Sequence, residues 1–124
     1  IKSPLRNINN ACQTCHKWSE QELSNRVKTI QDRVYEQMMR SETAIVDAIN
    51  AIKAAKDAGA TDEQLKEARK LHRRAQLRWD FVAAENSMGF HSPQETLKTL
   101  GNAIDYARQS QLAAERLMKN VAVK

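Results

Sequence analysis

Between Pro4 and Gly59 the chain contains neither glycine nor proline, and over most of that stretch apolar residues recur at helical intervals. Leu23, Val27, Ile30, Val34, Met38, Ile45, Ile49 and Ile52 form the stripe. Ser19-Glu20-Gln21-Glu22 ahead of it is a capping box, in which a hydroxyl accepts from one backbone N–H and a carboxylate reaches back to another. Gly59 is a natural stop, because a left-handed residue ends a helix at little steric cost. The pattern predicts one helix over 20–58, about 58 Å long at the α-helical rise. A compact chain of this size has a radius of gyration of about 14 Å, hence a diameter near 35 Å. Such a helix outruns its own globule. A second helix of roughly 25 residues cannot cover the whole stripe, so the remainder is expected to pack against another chain or a further part of its own protein. The spacing near 3.5 suits a coiled-coil-like seam. The alternative is a kinked helix folded back on itself in a compact monomer.

Two more helix starts follow. Thr61-Asp62-Glu63-Gln64 is a second capping box and opens a helix over 62–86 with the stripe Leu65, Ala68, His72, Ala75, Trp79 and Val82. Ser92-Pro93-Gln94-Glu95 is a third, with proline at the first helical position, and opens a helix over 93–119 through Leu97, Leu100, Ile104, Ala107, Ala114 and Met118. No strand signal and no internal repeat interrupts this pattern. The expected class is all-α: a long antiparallel helix hairpin plus a third, C-terminal helix, preceded by a segment (1–18) of little regular structure. Only 3 Gly and 2 Pro among 124 residues argue against a many-turned β sandwich and against a disordered linker. No apolar run approaches the ~18 residues of a membrane span. The chain begins at Ile1 with no charged-then-apolar leader, and reads as a processed chain or a fragment.

The chemistry concentrates at Cys12-Gln13-Thr14-Cys15-His16. This is the C-x-x-C-H pattern of covalent c-type haem attachment. Two residues between the thiols let both reach the porphyrin vinyl groups from one turn of chain, and the adjacent imidazole becomes the axial iron ligand. Cys12 and Cys15 are thus the expected thioether residues and His16 the expected fifth ligand of one haem c. A thioredoxin-like pair wants a βαβ context. A structural zinc site wants a second Cys/His pair. A disulfide across so short a loop is strained and leaves His16 without a role. Covalent haem attachment takes place outside the bacterial cytoplasm, so the expected location is the periplasm, where a chain whose 2 Cys both serve the haem is at home.

Three other features admit two readings each. His91, in the loop between Gly89 and Pro93, is either a haem axial ligand or an exposed polar residue. Met88 is either a second axial candidate or a packing residue beside Phe90. His72 lies on the apolar stripe of the second helix, where a buried imidazole with a satisfied hydrogen bond is the structural account and a ligand the functional one. The same helix is basic through Lys66, Arg69, Lys70, Arg73, Arg74 and Arg78, in a chain of net charge +5. Interleaved Asp62, Glu63, Glu67 and Asp80, with no stacking aromatics, make a solvated or ion-paired face a better account than nucleic-acid binding. An acidic redox partner would still find this face attractive. Trp79 and Phe81 fall on different sides of the helix, so one of them is expected to meet something beyond the hairpin.

Ser3-Pro4-Leu5 ahead of Cys12-Gln13-Thr14-Cys15-His16-Lys17-Trp18, the very long helix, then Ala75-Gln76-Leu77-Arg78-Trp79-Asp80 and His91-Ser92-Pro93 together resemble the C-terminal part of a cytochrome c nitrite reductase, the periplasmic, pentahaem, ammonia-forming family. The resemblance runs over essentially the whole chain. It implies that Cys12, Cys15 and His16 hold the last of five haems, and that His91 is the distal ligand of the preceding one. It also implies a homodimer through the long helices, and electron supply from a redox donor protein or quinol dehydrogenase. His72 matches no ligand position of the family. The catalytic C-x-x-C-K haem motif, the other three haem motifs, the calcium site and the nitrite-surrounding Arg, Tyr and His of that family have no counterpart here, so this chain by itself is expected to carry no catalytic residue. The remaining alternatives are a self-standing monohaem helical cytochrome, acting as redox shuttle or gas sensor, and a haem-free helical interaction module.

Overall fold

The structure, a computed structural model, describes residues 3–122, and every regular element among them is helical. A single 3-10 turn at Pro4–Arg6 precedes α1 (Ile8–Ala11), α2 (Glu20–Asp57), α3 (Asp62–Ala83) and α4 (Pro93–Ala122). The all-α class expected from the pattern is the one observed.

Local chemistry accounts for the helix ends. The Ser19 hydroxyl accepts from the Glu22 N–H at 3.2 Å while the Glu22 carboxylate accepts from the Ser19 N–H at 3.0 Å. Thr61 and Gln64 do the same at 3.2 and 2.9 Å. Each box satisfies two of the donors that a helix start leaves open. At the far end of α2, Gly59 takes φ 103°, its N–H bonds the Lys56 carbonyl, and the Ala60 N–H bonds the Ala55 carbonyl, both at 3.0 Å. That pair of bonds is a Schellman stop, and its usual apolar contact is present, since Ala55 and Ala60 share one buried cluster. At α4 the Thr96 N–H bonds the Ser92 carbonyl at 3.0 Å, ahead of a first turn that begins with Pro93.

Two helix ends depart from expectation: α4 runs on to Ala122 rather than stopping at 119, and another falls short. The second long helix ends at Ala83, not near 86. Glu85 turns its carboxylate onto the Ser87 N–H and hydroxyl and the Gly89 N–H, and so offers the backbone an alternative to further helical bonds. Residues 3–18 are likewise more ordered than the composition of that segment implied, with a 3-10 turn and one helical turn before the cysteines.

The third long helix is the centre of the bundle rather than an appendage to a hairpin. α4 packs along both α2 and α3, which touch each other far less. It buries Leu100, Ala103, Ala107, Ser110 and Ala114, a line of period 3.5 made mostly of small side chains. Opposite lie Ser41, Ala44, Ala48 and Ala55 on α2, and Leu65, Ala68 and Ala75 on α3. Small residues at the contact let helix axes approach closely. Two buried hydroxyls are satisfied across the seam: Ser41 donates to the Leu100 carbonyl at 3.4 Å, and Ser110 to the Ala68 carbonyl at 2.7 Å. Trp79 packs at the other end of the seam and donates its Nε1–H to the Met38 carbonyl at 3.3 Å. Phe81 is 72% exposed.

This arrangement corrects the account of the long stripe. From Val34 onward its inner face is covered within the chain, by α3 and α4, so helix length alone does not demand a partner. Ile49, expected inward, faces out, and the alanines and Ser41 take the buried positions. A different face is left open: Tyr35, Met39, Val46 and Ile49 on α2 are between 42% and 57% exposed. The accessible surface, 8939 Å², exceeds by about a third the ~6,700 Å² of a compact monomer of the same mass.

A seam of this kind tolerates added volume poorly. Ala107→Leu is expected to lower stability by about 1–3 kcal/mol in urea unfolding followed by circular dichroism.

Candidate functional site

Ile8, buried on α1, anchors the N-terminal segment. The chain then continues in helical fashion: the Cys12 N–H bonds the Ile8 carbonyl at 2.8 Å, and the Cys15 and His16 N–H groups both bond the Cys12 carbonyl, at 3.2 and 2.9 Å. Cys12, Cys15 and His16 therefore stand on one turn. Thr14 Oγ1 donates to the Asn10 carbonyl at 2.9 Å, and the Gln13 amide donates to the Trp18 carbonyl at 2.9 Å, which closes the turn from both sides. The His16 and Trp18 rings stack, with centroids 5.5 Å apart and planes within 16°. Both thiols are free.

This turn opens onto a cavity of about 850 Å³. Ile8, Ala11, Cys12, Cys15 and His16 form one wall, and Leu23, Val27 and Ile30 on the first turns of α2 form the other. Arg26 lies on the α2 wall and Phe90 closes an edge from the loop before α4. The volume falls in the range of small-molecule sites, and walls of this composition suit a large flat apolar ring. Two free thiols and an imidazole on the rim are the donor set that covalent haem attachment uses, so the residues present fit the group. Among the described residues there is no cluster of three or more His, Cys, Asp or Glu side chains able to hold a metal ion, and no strand.

His91 stands apart from this cavity. Its imidazole is 78% exposed, with Nδ1 3.6 Å from Glu85 Oε1, and its backbone N–H bonds Ser87 Oγ at 3.1 Å. The loop is well held. Gln31 on α2 donates to the Ser87 carbonyl at 3.0 Å, and Gly89, at φ 86°, lies so close to Val34 that a Cβ there would meet Val34 Cγ2 at 2.5 Å. The three bonds from Ser87 and Gly89 hold the Glu85 carboxyl down at about 2, the Ser87 hydroxyl first among them. The loop thus reaches the cavity but presents Phe90 to it, while His91 points to solvent. Met88 is exposed, in a left-handed conformation at φ 54°. Phe90 escaped the sequence pattern because a lone loop aromatic carries no periodicity.

His72 is partly buried, and its Nε2 is shielded from solvent without a hydrogen-bond partner. The satisfied hydrogen bond expected at this position is not found at that atom. Along the basic α3, Arg69 pairs with Asp62 at 2.8 Å. Arg74 and Arg78 lie over the Tyr106 ring at 5.6 and 4.6 Å from its centroid. Tyr106 is an aromatic partner that the sequence of α3 alone could not reveal, because it comes from α4.

The family model described as Cytochrome c552 matches residues 1–124. The chain belongs to the cytochrome c552 family. It is 43% identical over 118 residues to the cytochrome c-552 of Parabacteroides distasonis, which covers 95% of this chain and 24% of that protein. Identity to the cytochrome c-552 of Bacteroides fragilis (strain ATCC 25285) is likewise 43%, and to that of Aliarcobacter butzleri 36%, with the same coverage. The chain therefore spans about a quarter of the length of the curated relatives it matches. Membership makes it a c-type cytochrome chain with an electron-transfer role, and its two cysteines are the number that one haem c uses.

The Glu85 network has a direct consequence for the loop. Glu85→Ala is expected to cost the Ser87 and Gly89 amides at least about tenfold in hydrogen-exchange protection, with the α4 amides unchanged.

Proposed function

We propose that this chain is the haem-carrying, electron-transfer and dimer-forming segment of an ammonia-forming cytochrome c nitrite reductase. The observation that carries the reading is the cavity: one helical turn bearing Cys12, Cys15 and His16 faces an apolar wall on α2, in a chain matched end to end by the cytochrome c552 family. Residues 1–18 are the attachment segment and 19–124 the helical region.

In this reading Cys12 and Cys15 are the residues that would hold the haem covalently, through their sulfur atoms. His16 would supply the imidazole that ligates the iron, and its stack on Trp18 limits rotation of the imidazole. Leu23, Val27 and Ile30 keep water from one face. A bound haem supplies a one-electron iron couple, and the potential of that couple depends on axial ligand, burial and nearby charge. No catalytic residue is assigned to this chain. The six-electron reduction of nitrite to ammonium belongs to the parent enzyme, at a haem outside these residues, with this haem as relay or entry point. His91, exposed and backed by Glu85, is assigned as distal axial ligand of a neighbouring haem of that enzyme. A ligating imidazole commonly has a carboxylate or carbonyl behind its other nitrogen.

The open apolar face of α2, Tyr35, Met39, Val46 and Ile49, supports a homodimer through the long helices. These positions keep a heptad register, as a two-stranded seam requires. No helix among the described residues is long and apolar enough to cross a membrane. Together with covalent haem attachment this favours the periplasm, where a redox donor protein or quinol dehydrogenase would deliver the electrons.

Expression with periplasmic haem maturation tests the reading. The mature protein is expected to gain the mass of one haem and a reduced-haem absorption band, and Cys12→Ala with Cys15→Ala should abolish both. Absence of the haem mass from the parent chain would refute the assignment. A gene with no further C-x-x-C-H or C-x-x-C-K motif upstream would favour the self-standing cytochrome instead. In sedimentation the protein should run as a dimer, and Val46→Lys with Ile49→Lys should yield monomers of unchanged helicity.

A further inference from the structure

Arg26 has no assigned task. It sits one turn from Glu22 on α2, the i,i+4 spacing at which an acid and a base ordinarily pair. That pairing is not made, and Glu22 bonds the helix start instead. Its Oε2 accepts from both the Ser19 N–H and the Ser19 hydroxyl, each at 3.0 Å, and these bonds, the backbone one foremost, hold its carboxyl below the ordinary range. Among the described residues no carboxylate lies within ion-pair distance of Arg26, and Arg26 is the one lysine or arginine lining the cavity beside Cys12, Cys15 and His16. Its neighbours on that wall are the apolar Leu23, Val27 and Ile30 and, one turn back, Glu22.

A guanidinium at the edge of a largely apolar cavity, with no carboxylate in ion-pair distance among the described residues, matches a planar carboxylate at the rim of whatever fills the cavity. The group implied by the cysteines is flat and apolar over most of its area, with two carboxylates on one edge. We propose that Arg26 is the cation that receives a haem propionate in this cavity, and that it thereby sets both the orientation of the ring and the ease of reducing its iron. The inference rests on the haem reading above. Charge near the iron acts on the oxidised and reduced forms unequally. A cation disfavours the ferric state, and one that holds the propionate also screens the negative charge that would favour it.

The experiment is a spectroelectrochemical titration of the haem-loaded protein at several pH values. Compared are the parent chain, Arg26→Gln, Arg26→Lys and, as a distant charge control, Arg116→Gln on the far part of α4. Arg26→Gln is expected to lower the ratio of reduced to oxidised haem, at a fixed ambient potential, by about three- to tenfold. It should also move the pH range over which that ratio changes upward, because the propionate loses the cation that keeps it ionised. Arg26→Lys should restore most of both effects, and Arg116→Gln should leave them as in the parent. If Arg26→Gln titrates like the parent, or Arg116→Gln shifts as far, the assignment of Arg26 is wrong while the haem reading stands. If the parent chain acquires no haem on Cys12 and Cys15, the haem reading itself has failed and this inference falls with it.

Discussion

The seam of small side chains on α4 is the contact on which the rest of the molecule depends. Leu100, Ala103, Ala107, Ser110 and Ala114 run at period 3.5 into the groove between α2 and α3, and two serine hydroxyls are satisfied across it. Because the side chains are small, the helices are close, and close helices leave little freedom in register. Ser41 on α2 therefore meets the Leu100 carbonyl, and Ala68 on α3 meets Ser110. Without that register the loop before α4 would have no fixed position.

Register also decides where the site lies. α4 starts at Pro93, and Leu97 and Leu100 pack with Val34 and Val82. The first turns of α2 consequently extend beyond the three-helix bundle. Their apolar residues, Leu23, Val27 and Ile30, are left to be covered by the N-terminal segment through Ile8 and the cysteine turn. The cavity is what remains between the two. Phe90 reaches it because Gly89 seats against Val34 and Gln31 holds the Ser87 carbonyl. The overhang of one helix thus provides the apolar wall, and the stop of another provides its edge.

Much of this was legible in the residues. Ser19 with Glu22, Thr61 with Gln64, and Gly59 mark helix ends by local hydrogen bonding, and local chemistry transfers from sequence to structure with little loss. The Cys12, Cys15 and His16 turn was legible for the same reason, since its spacing is also its geometry. The end of α3 was not, because the competing bonds from Glu85 come from a side chain that a periodic pattern ignores. The seam on α4 was read only in part: Leu100, Ala107 and Ala114 stood out, while Ala103 and Ser110 did not, since alanine and serine give no strong hydropathy signal. Ile49 and Ala48 exchanged roles in the same way. An isoleucine looks more like a core residue than an alanine does until a neighbouring helix demands a short side chain.

By itself the sequence determined the helical class, the long span of α2, the placing of its two cysteines and neighbouring histidine on one turn, and the supply of apolar residues along α2. All of these are properties of residues near one another in the chain, where spacing and capping decide the outcome. Only the tertiary structure decided that α4 lies at the centre, that the outer face carrying Tyr35, Met39, Val46 and Ile49 is left open, that Phe90 and not His91 borders the cavity, and that Arg26 stands on its wall with no ion-pair partner among the described residues. Each of these turns on which helix meets which, and at what register. Packing of small side chains sets that register between residues dozens of positions apart, beyond the reach of any local pattern.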